Sequence, residues 1–455
     1  MDMIENNLCK ALPIDRIGLL KDMAMEVIKA SSRLEGSLAP ETAKGLSREL
    51  RILNSYHSNL IEGHKTTISD IKRALRKEWS ATDQKRYAQE LCSAHALVEE
   101  AMMAKLAQME GHICNPGFLQ WIHEYFYMQL PEAHRFTHHG HDFTDIPVNP
   151  GRWRELEVSV RSGEQLGPDG AEVPRLMKVF TEQYNPNNFH GDERLLIIAS
   201  AHHRLAWLHP FRDGNGRVIR LFTGACQASI GVNVHGLWSF SRGLSRDNNG
   251  YMLHLEAADT FEDEDHADFI EFFLEKCLDQ IDFMEKLLAL EKMDLRIEKR
   301  VEQLSMFGEK GIRPEAAIVL REAFRSGMVP RGKLPAMLRV SDRQARRIVS
   351  PLLKRGMLVS DSQKKPLRFG FPEDAMPDYF PNLFAPEIMG EVAEKSLPAE
   401  DGCYVGILFR NGDKMAVAVN GELNNISQWK AEYETHAGKK VQVEIHNGKI
   451  EIMKK

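Results

Sequence analysis

Twelve residues, His209 to Arg220 (HPFRDGNGRVIR), hold a histidine, an acid, two glycines around an asparagine, and two arginines. Glycines at 214 and 216 make positive φ available, so the backbone can turn tightly there. Successive N–H groups in such a turn form a concave anion nest, and a helix that follows adds the positive end of its dipole. Arg217 and Arg220, three apart, share one face of that helix. Two guanidiniums beside a nest can clamp a di- or triphosphate bidentately. Asp213 is an oxygen ligand of the kind Mg2+ takes among phosphates. His209 can take a proton from an attacking hydroxyl. Phe211 has no polar role and is expected to anchor the loop in the core. The run lacks both the Lys-Ser/Thr of a P-loop and the glycine spacing of a dinucleotide fold.

The order His-x-Phe-x-Asp-Gly-Asn-Gly-Arg-x-x-Arg resembles the defining motif of the Fic-domain family, with all eight specified positions filled. The flanks in AHHRLAWLHPFRDGNGRVIRLFTG are similar too, and the likeness covers roughly residues 50–260. The resemblance implies transfer of AMP from ATP to a Ser, Thr or Tyr hydroxyl of a protein, the target or the chain itself. It implies His209 as general base and Asp213 as the Mg2+ ligand. Gly214, Asn215, Gly216 and Arg217 would bind the α- and β-phosphates, and Arg220 the γ-phosphate. PGRWRELEVSV, Pro150–Val160, resembles the family's PGxxR segment and flap hairpin, so Val158, Ser159 and Val160 are expected to pair with an extended target segment. RDNNGYMLHL resembles the segment that lines the nucleobase, which implies a base contact for Tyr251.

SNLIEG, Ser58–Gly63, resembles the family's inhibitory motif Ser/Thr-x-x-x-Glu-Gly/Asn. Ser58 and Glu62 are four apart, on one face of a helix that Gly63 can close. The resemblance implies that Glu62 bonds to Arg220 and fills the γ-phosphate position. SSRLEG offers Ser31, Glu35 and Gly36 at the same spacing. The continuation HKTTISDIKRAL resembles that of the family and follows only the second copy, so Glu62 is the preferred brake.

These residues need a helical frame. In a chain of 455 residues, two to four domains are expected. The sequence reads as mainly α: a Fic-type helical core with a small β-hairpin flap, then a winged helix-turn-helix and a small α+β module. Residues 1–95 form an N-terminal helical region with the inhibitory motif. Residues 96–306 form the catalytic core and its trailing helices. Residues 131–175, rich in proline and histidine, read as a loop followed by the hairpin at ELEVSV. Residues 307–375 read as three helices and a hairpin, with Ser341 as N-cap and Gly356 as stop of the third helix. Residues 376–455 read as a ββαββ unit, with hairpins around Asn411-Gly412 and Asn447-Gly448 and the helical SQWKAEYETHAG between them.

The net charge of −6 gives the whole chain no nucleic-acid signature. Residues 331–368, however, carry eleven Lys/Arg and two Asp, a net of +9 that leaves −15 on the rest. Arg343, Gln344, Arg346 and Arg347 on the third helix, flanked by Lys364, Lys365 and Arg368, are where such folds contact DNA; domain docking is the competing role. Six dispersed cysteines argue against a disulfide or zinc framework and suit a reducing cytoplasm. The N-terminal residues, with early acids and no long apolar run, are not expected to act as a signal peptide, and no apolar run is long enough for a membrane span. His134, His138, His139 and His141 are expected in a solvated loop rather than around a metal, and His202-His203 in a packed role. The expected partners are ATP and a protein hydroxyl, with duplex DNA and a second copy of the chain as further candidates. Two alternative functions remain: a DNA-binding regulator with a nucleotide-sensing domain, and transfer or removal of another phosphate-containing group.

Overall fold

A computed structural model describes residues 3–109, 113–139, 144–155, 167–306 and 312–384, together with strands at 402–411, 414–419, 422–425, 440–446 and 449–453. The fold is mainly helical, as the periodicity predicts. The chain divides into two compact units, Met1–Ala289 with Arg325–Gly327, and Leu290–Phe324 with Met328–Lys455.

The first unit runs α1 (Met3–Leu8), α2 (Ile17–Gly36), α3 (Pro40–Ile61), α4 (Ile68–Leu75), α5 (Asp83–Leu106) and α6 (Pro116–Met128). A hairpin follows, β1 (Phe136–His139) with β2 (Thr144–Pro147). Then come α7 (Val173–Gln183), α8 (Glu193–Leu208), α9 (Asn215–Ser229), α10 (Phe240–Arg246), α11 (Asn248–Ala258) and α12 (Asp263–Leu288). The long α12 buries Phe269, Phe273, Cys277, Ile281 and Met284 against α2, α8, α10 and α11. That burial is the main stabilising force for these helices, since isolated helices are marginal in water.

α3 is built to end at one place. Pro40 occupies its first turn and Glu41 complements the dipole. Leu46, Leu50, Leu53 and Ile61 are buried along it. Gly63 takes φ 86°, its N–H donates to Leu60 O, and His64 N–H donates to Asn59 O. This is a Schellman closure, and it holds Glu62 at the C-cap.

β1 and β2 correct the sequence reading, because His138 and His139 lie on a strand and not in a loop. Alternation is weak in FTHH, and no turn residue pair marks the hairpin. His134 pairs with Glu90 at 2.8 Å and packs edge-on against Tyr87. His141 lies outside the described residues. Among the described residues no group of three or more His, Cys, Asp or Glu could hold a metal ion, and no described helix is long and apolar enough to cross a membrane. His202 and His203 are packed as expected: His202 bonds to Thr223 and Tyr251, and His203 to Asp259.

The second unit contains α13 (Leu290–Met306), α14 (Ala316–Ser326), α15 (Leu334–Leu338), α16 (Asp342–Lys354), β3 (Leu358–Val359), β4 (Arg368–Phe369) and α17 (Met376–Tyr379). α13, read from sequence with the catalytic core, falls here instead. Its Arg300 pairs with Asp374 and Asp378, and Arg296 donates to the Tyr379 carbonyl. Those partners are some eighty positions away, beyond any local pattern. β3 pairs antiparallel with β4, and a bridge between Val329 and Leu367 extends the pair. Ser341 and Gln344 form a capping box at the start of α16, and Gly356 takes φ 68° just after its end. The C-terminal strands β5 (Gly402–Asn411), β6 (Lys414–Val419), β7 (Glu422–Asn425), β8 (Lys440–His446) and β9 (Lys449–Met453) make one antiparallel sheet in the order β7-β6-β5-β8-β9. Both expected hairpins are present, and β7 is an additional strand. The helical reading of SQWKAEYETHAG lies outside the described residues.

Candidate active site

The motif loop joins two helices of the first unit. α8 ends at His209, which takes φ 45° and ψ 59° and donates its N–H to Leu205 O. Gly214, at φ 77°, is the N-cap of α9. Between them Phe211 is fully buried, as expected. The Asn215 side chain closes the turn on itself, because Oδ1 accepts from Phe211 N–H at 2.9 Å and Nδ2 donates to Phe211 O at 2.8 Å. The side-chain amide thus braces the loop from which Asn215 is expected to meet the phosphates. The first N–H groups of α9, from residues 215 to 217, still point out of the helix end, as those of any helix N-terminus do.

Arg217 is 3% exposed, with its guanidinium 5.1 Å from the Phe126 ring centre and 3.6 Å from Asp213. Its Nε and Nη1 are buried and have no hydrogen-bond partner among the described residues. Burial opposes its charge, yet Asp213 and Tyr127 outweigh it and keep the guanidinium firmly protonated. A buried cation with two idle donors beside a helix N-terminus is a group built for an anion.

Asp213 is half-buried. It accepts from the Tyr127 hydroxyl at 2.5 Å, and its carbonyl faces His123 Nε2 at 3.2 Å. Burial would raise its carboxyl, but Arg217 and the Tyr127 bond hold it below the usual range, so it is charged at neutral pH. His123 stacks on Phe211 at 4.0 Å and accepts from Gly151 N–H at its Nδ1. One imidazole thus joins the PGxxR segment, the loop's aromatic anchor and the acid. Neither His123 nor Tyr127 was expected from the sequence; WIHEYFYM on α6 is apolar nearly all round, and nothing in its spacing marks the face turned to Asp213.

His209 is half-buried. Burial, with the Arg154 guanidinium nearby, pushes it down to about 4, so the ring is neutral at pH 7. Arg154, the arginine of PGxxR, is buried. Its Nε donates to His209 O at 2.7 Å, and its Nη2 donates to Pro168 O at 2.5 Å. A Cβ on Gly167 would collide with the Trp207 carbonyl. Residues 154 and 167 thus both lie against the end of α8. Val158, Ser159 and Val160 lie outside the described residues.

Arg220 is held by Ser58 and Glu62 at the end of α3. Its Nε donates to Ser58 Oγ at 2.9 Å, and its Nη2 donates to Ser58 O at 2.9 Å and to Glu62 Oε1 at 2.6 Å. Burial would raise the Glu62 carboxyl, but Arg220 and Arg217 lower it further, so it is ionised. A Cβ on Gly216 would collide with Glu62 Oε1, which places that carboxylate directly over the helix N-terminus. The rival copy does something else. Ser31 Oγ accepts from Asn233 N–H and Trp238 Nε1, and Glu35 pairs with His235. Tyr251 is 3% exposed with its hydroxyl on His202 Nε2 at 2.9 Å, so it is a core residue here and not an open base contact.

Residues 114–226 match the model of the Fic/DOC family. Among curated proteins it is similar to the protein adenylyltransferase Fic of Nematostella vectensis, at 27% identity over 182 residues, 39% of this chain and 38% of that protein. It is also similar to the protein adenylyltransferase Fic of Drosophila grimshawi, at 33% identity over 75 residues, 16% of this chain and 15% of that protein. The chain thus spans well under half the length of these relatives. Among solved structures, a Fic family protein from Desulfovibrio desulfuricans G20 aligns with a TM-score of 0.48 and 19% identity, over 79% of this chain and 98% of that one.

Proposed function

We propose that this chain is a self-inhibited protein adenylyltransferase. The observation that carries the reading is the constellation at the start of α9: a helix N-terminus, the idle buried donors of Arg217, and the neutral imidazole of His209. A nucleoside triphosphate would lay its phosphates on the residue 214–217 backbone, with Arg217 on the α- or β-phosphate. A target hydroxyl gives its proton to His209 and attacks the α-phosphorus. The bond to the β-phosphate bridging oxygen breaks, and pyrophosphate leaves while AMP stays on the target. Positioning and charge neutralisation supply most of the acceleration for such transfers.

The Asp213 carboxylate, ionised and braced by Tyr127, fits a Mg2+ site of the kind completed by phosphate oxygens rather than by a protein cage. Mg2+ bound there would neutralise charge on the α- and β-phosphates. Glu62 competes with this arrangement, because it takes the Arg220 guanidinium and covers the helix end on which a γ-phosphate would lie.

The test is to incubate Glu62→Gly with each α-labelled nucleoside triphosphate and a cell lysate, and to identify labelled proteins by mass spectrometry. AMP should be incorporated, and His209→Ala in the same background should abolish the label. Labelling that survives His209→Ala, or that appears only with another nucleotide, rejects the reading.

A further inference from the structure

The second unit carries a charged surface that the nucleotide site does not use. α16 puts Ala345, Ile348, Val349 and Leu352 into the core, while Arg343, Arg346, Arg347 and Ser350 lie exposed at i, i+3, i+4 and i+7. Among the described residues, none of the three arginines pairs with a carboxylate within 4 Å. Other cations of the segment are spent: Arg368 on Asp361, Arg355 on Asp374, and Arg331 on the Lys365 carbonyl. Asp342 is the single acid of α16 and occupies its first turn, where the helix dipole favours it. Packing thus accounts for one face of α16 and leaves three arginines on the other.

We propose that this face of α16 docks in the major groove of duplex DNA, with the β3–β4 hairpin alongside the phosphates. α14, α15 and α16 followed by a hairpin are in the order of a winged helix-turn-helix. The Val329–Leu367 bridge and the Arg331–Lys365 bond tie the hairpin to the start of α15, and β3 packs on α16. Exposed Lys364 and Lys365 lie in that hairpin. The net of +9 between residues 331 and 368, in a chain otherwise at −15, supplies the complementarity to a polyanion. A helix with side chains about 10–12 Å across matches the B-form major groove, about 12 Å wide. The A-form major groove of duplex RNA is too narrow for it. Arginine forks suit both phosphate oxygens and guanine edges. Gln344, expected among the contacts, accepts from Ser341 at Oε1 in the capping box, which leaves its Nε2 for a base edge.

The experiment uses the full chain and a fluorescent DNA duplex of about three helical turns, with anisotropy followed from about 50 to about 200 mM salt. The parent should bind, and log affinity should fall linearly with log salt. Arg343→Gln/Arg346→Gln/Arg347→Gln should flatten that slope by about 2.7, at roughly 0.9 for each phosphate no longer neutralised. Circular dichroism melting checks that the variant is folded. If it is not, each arginine is changed singly, and each should flatten the slope by about 0.9. Absence of parent binding at about 50 mM salt, where attraction to phosphates is strong, overturns the proposal. So does an unchanged slope in the folded variants, or an RNA duplex of the same sequence that competes as well as the DNA.

Discussion

His209 leaves α8 in a left-handed conformation that a residue with a Cβ adopts at a cost on the order of 1 kcal/mol or more. Arg154, gripping the His209 carbonyl, fixes the direction in which the ring leaves the backbone. His209→Ala in a Glu62→Gly background should lower transfer about 10²- to 10⁴-fold and leave ATP affinity, measured by calorimetry, unchanged. Because the ring's pKa lies at about 4, the pH–rate profile should show no break from His209 near the ordinary value of 6.5. Such a break, lost in His209→Ala, would contradict the neutral base. Tyr127→Phe removes the hydroxyl that orients Asp213, so the Mg2+ concentration for half-maximal transfer should rise about 10- to 100-fold. An unchanged Mg2+ titration would remove Tyr127 from that role. The loop residues were legible because their types and spacing are crowded into one run. Tyr127 and His123 were not, because their meaning depends on how α6 is turned toward residues ninety positions away.

For a helix, the informative property is where it stops. α3 is locked by burial along its length, and the Schellman closure at Gly63 decides where Glu62 stands. A partly buried pair coupled by about 2–4 kcal/mol suppresses the competent state roughly 30- to 1000-fold. Glu62→Gly should raise AMP incorporation by up to that factor, whereas Glu35→Gly should change little, since Glu35 is occupied with His235. Release seen only with Glu35→Gly would reverse the assignment. Both copies of the spacing were visible in the sequence, and so was the continuation that favoured the second. What the sequence lacked was the destination of each carboxylate, set by the packing of α2 and α3. The β1–β2 hairpin was missed for a related reason: histidine and threonine carry little alternation, and pairing across a turn is not a local signal.

Across the first unit, burial holds several imidazoles neutral. His57, His95 and His202 are pushed to about 3, His123 to about 4 and His266 to about 2. Each takes up a proton in the unfolded chain near 6.5 but not in the folded one. Stability is therefore full above pH 6.5 and is lost as pH falls from there toward the folded values. At one pH unit below 6.5 the loss is about 1 kcal/mol per histidine, on the order of 5 kcal/mol for the five. Urea unfolding at pH 7.5 and 5.5 measures it, and equal midpoints would show that these rings are protonated in the fold. The helical class was legible from periodicity, and the basic segment from composition. The boundary between the units was not, because α13 has the same amphipathic pattern as the core helices and only its distant ion pairs assign it.

Arg154 and Gly167, thirteen positions apart, both meet the close of α8 where His209 leaves it. The histidine is moored by two residues outside its own helix, and whatever loosens either mooring loosens the histidine.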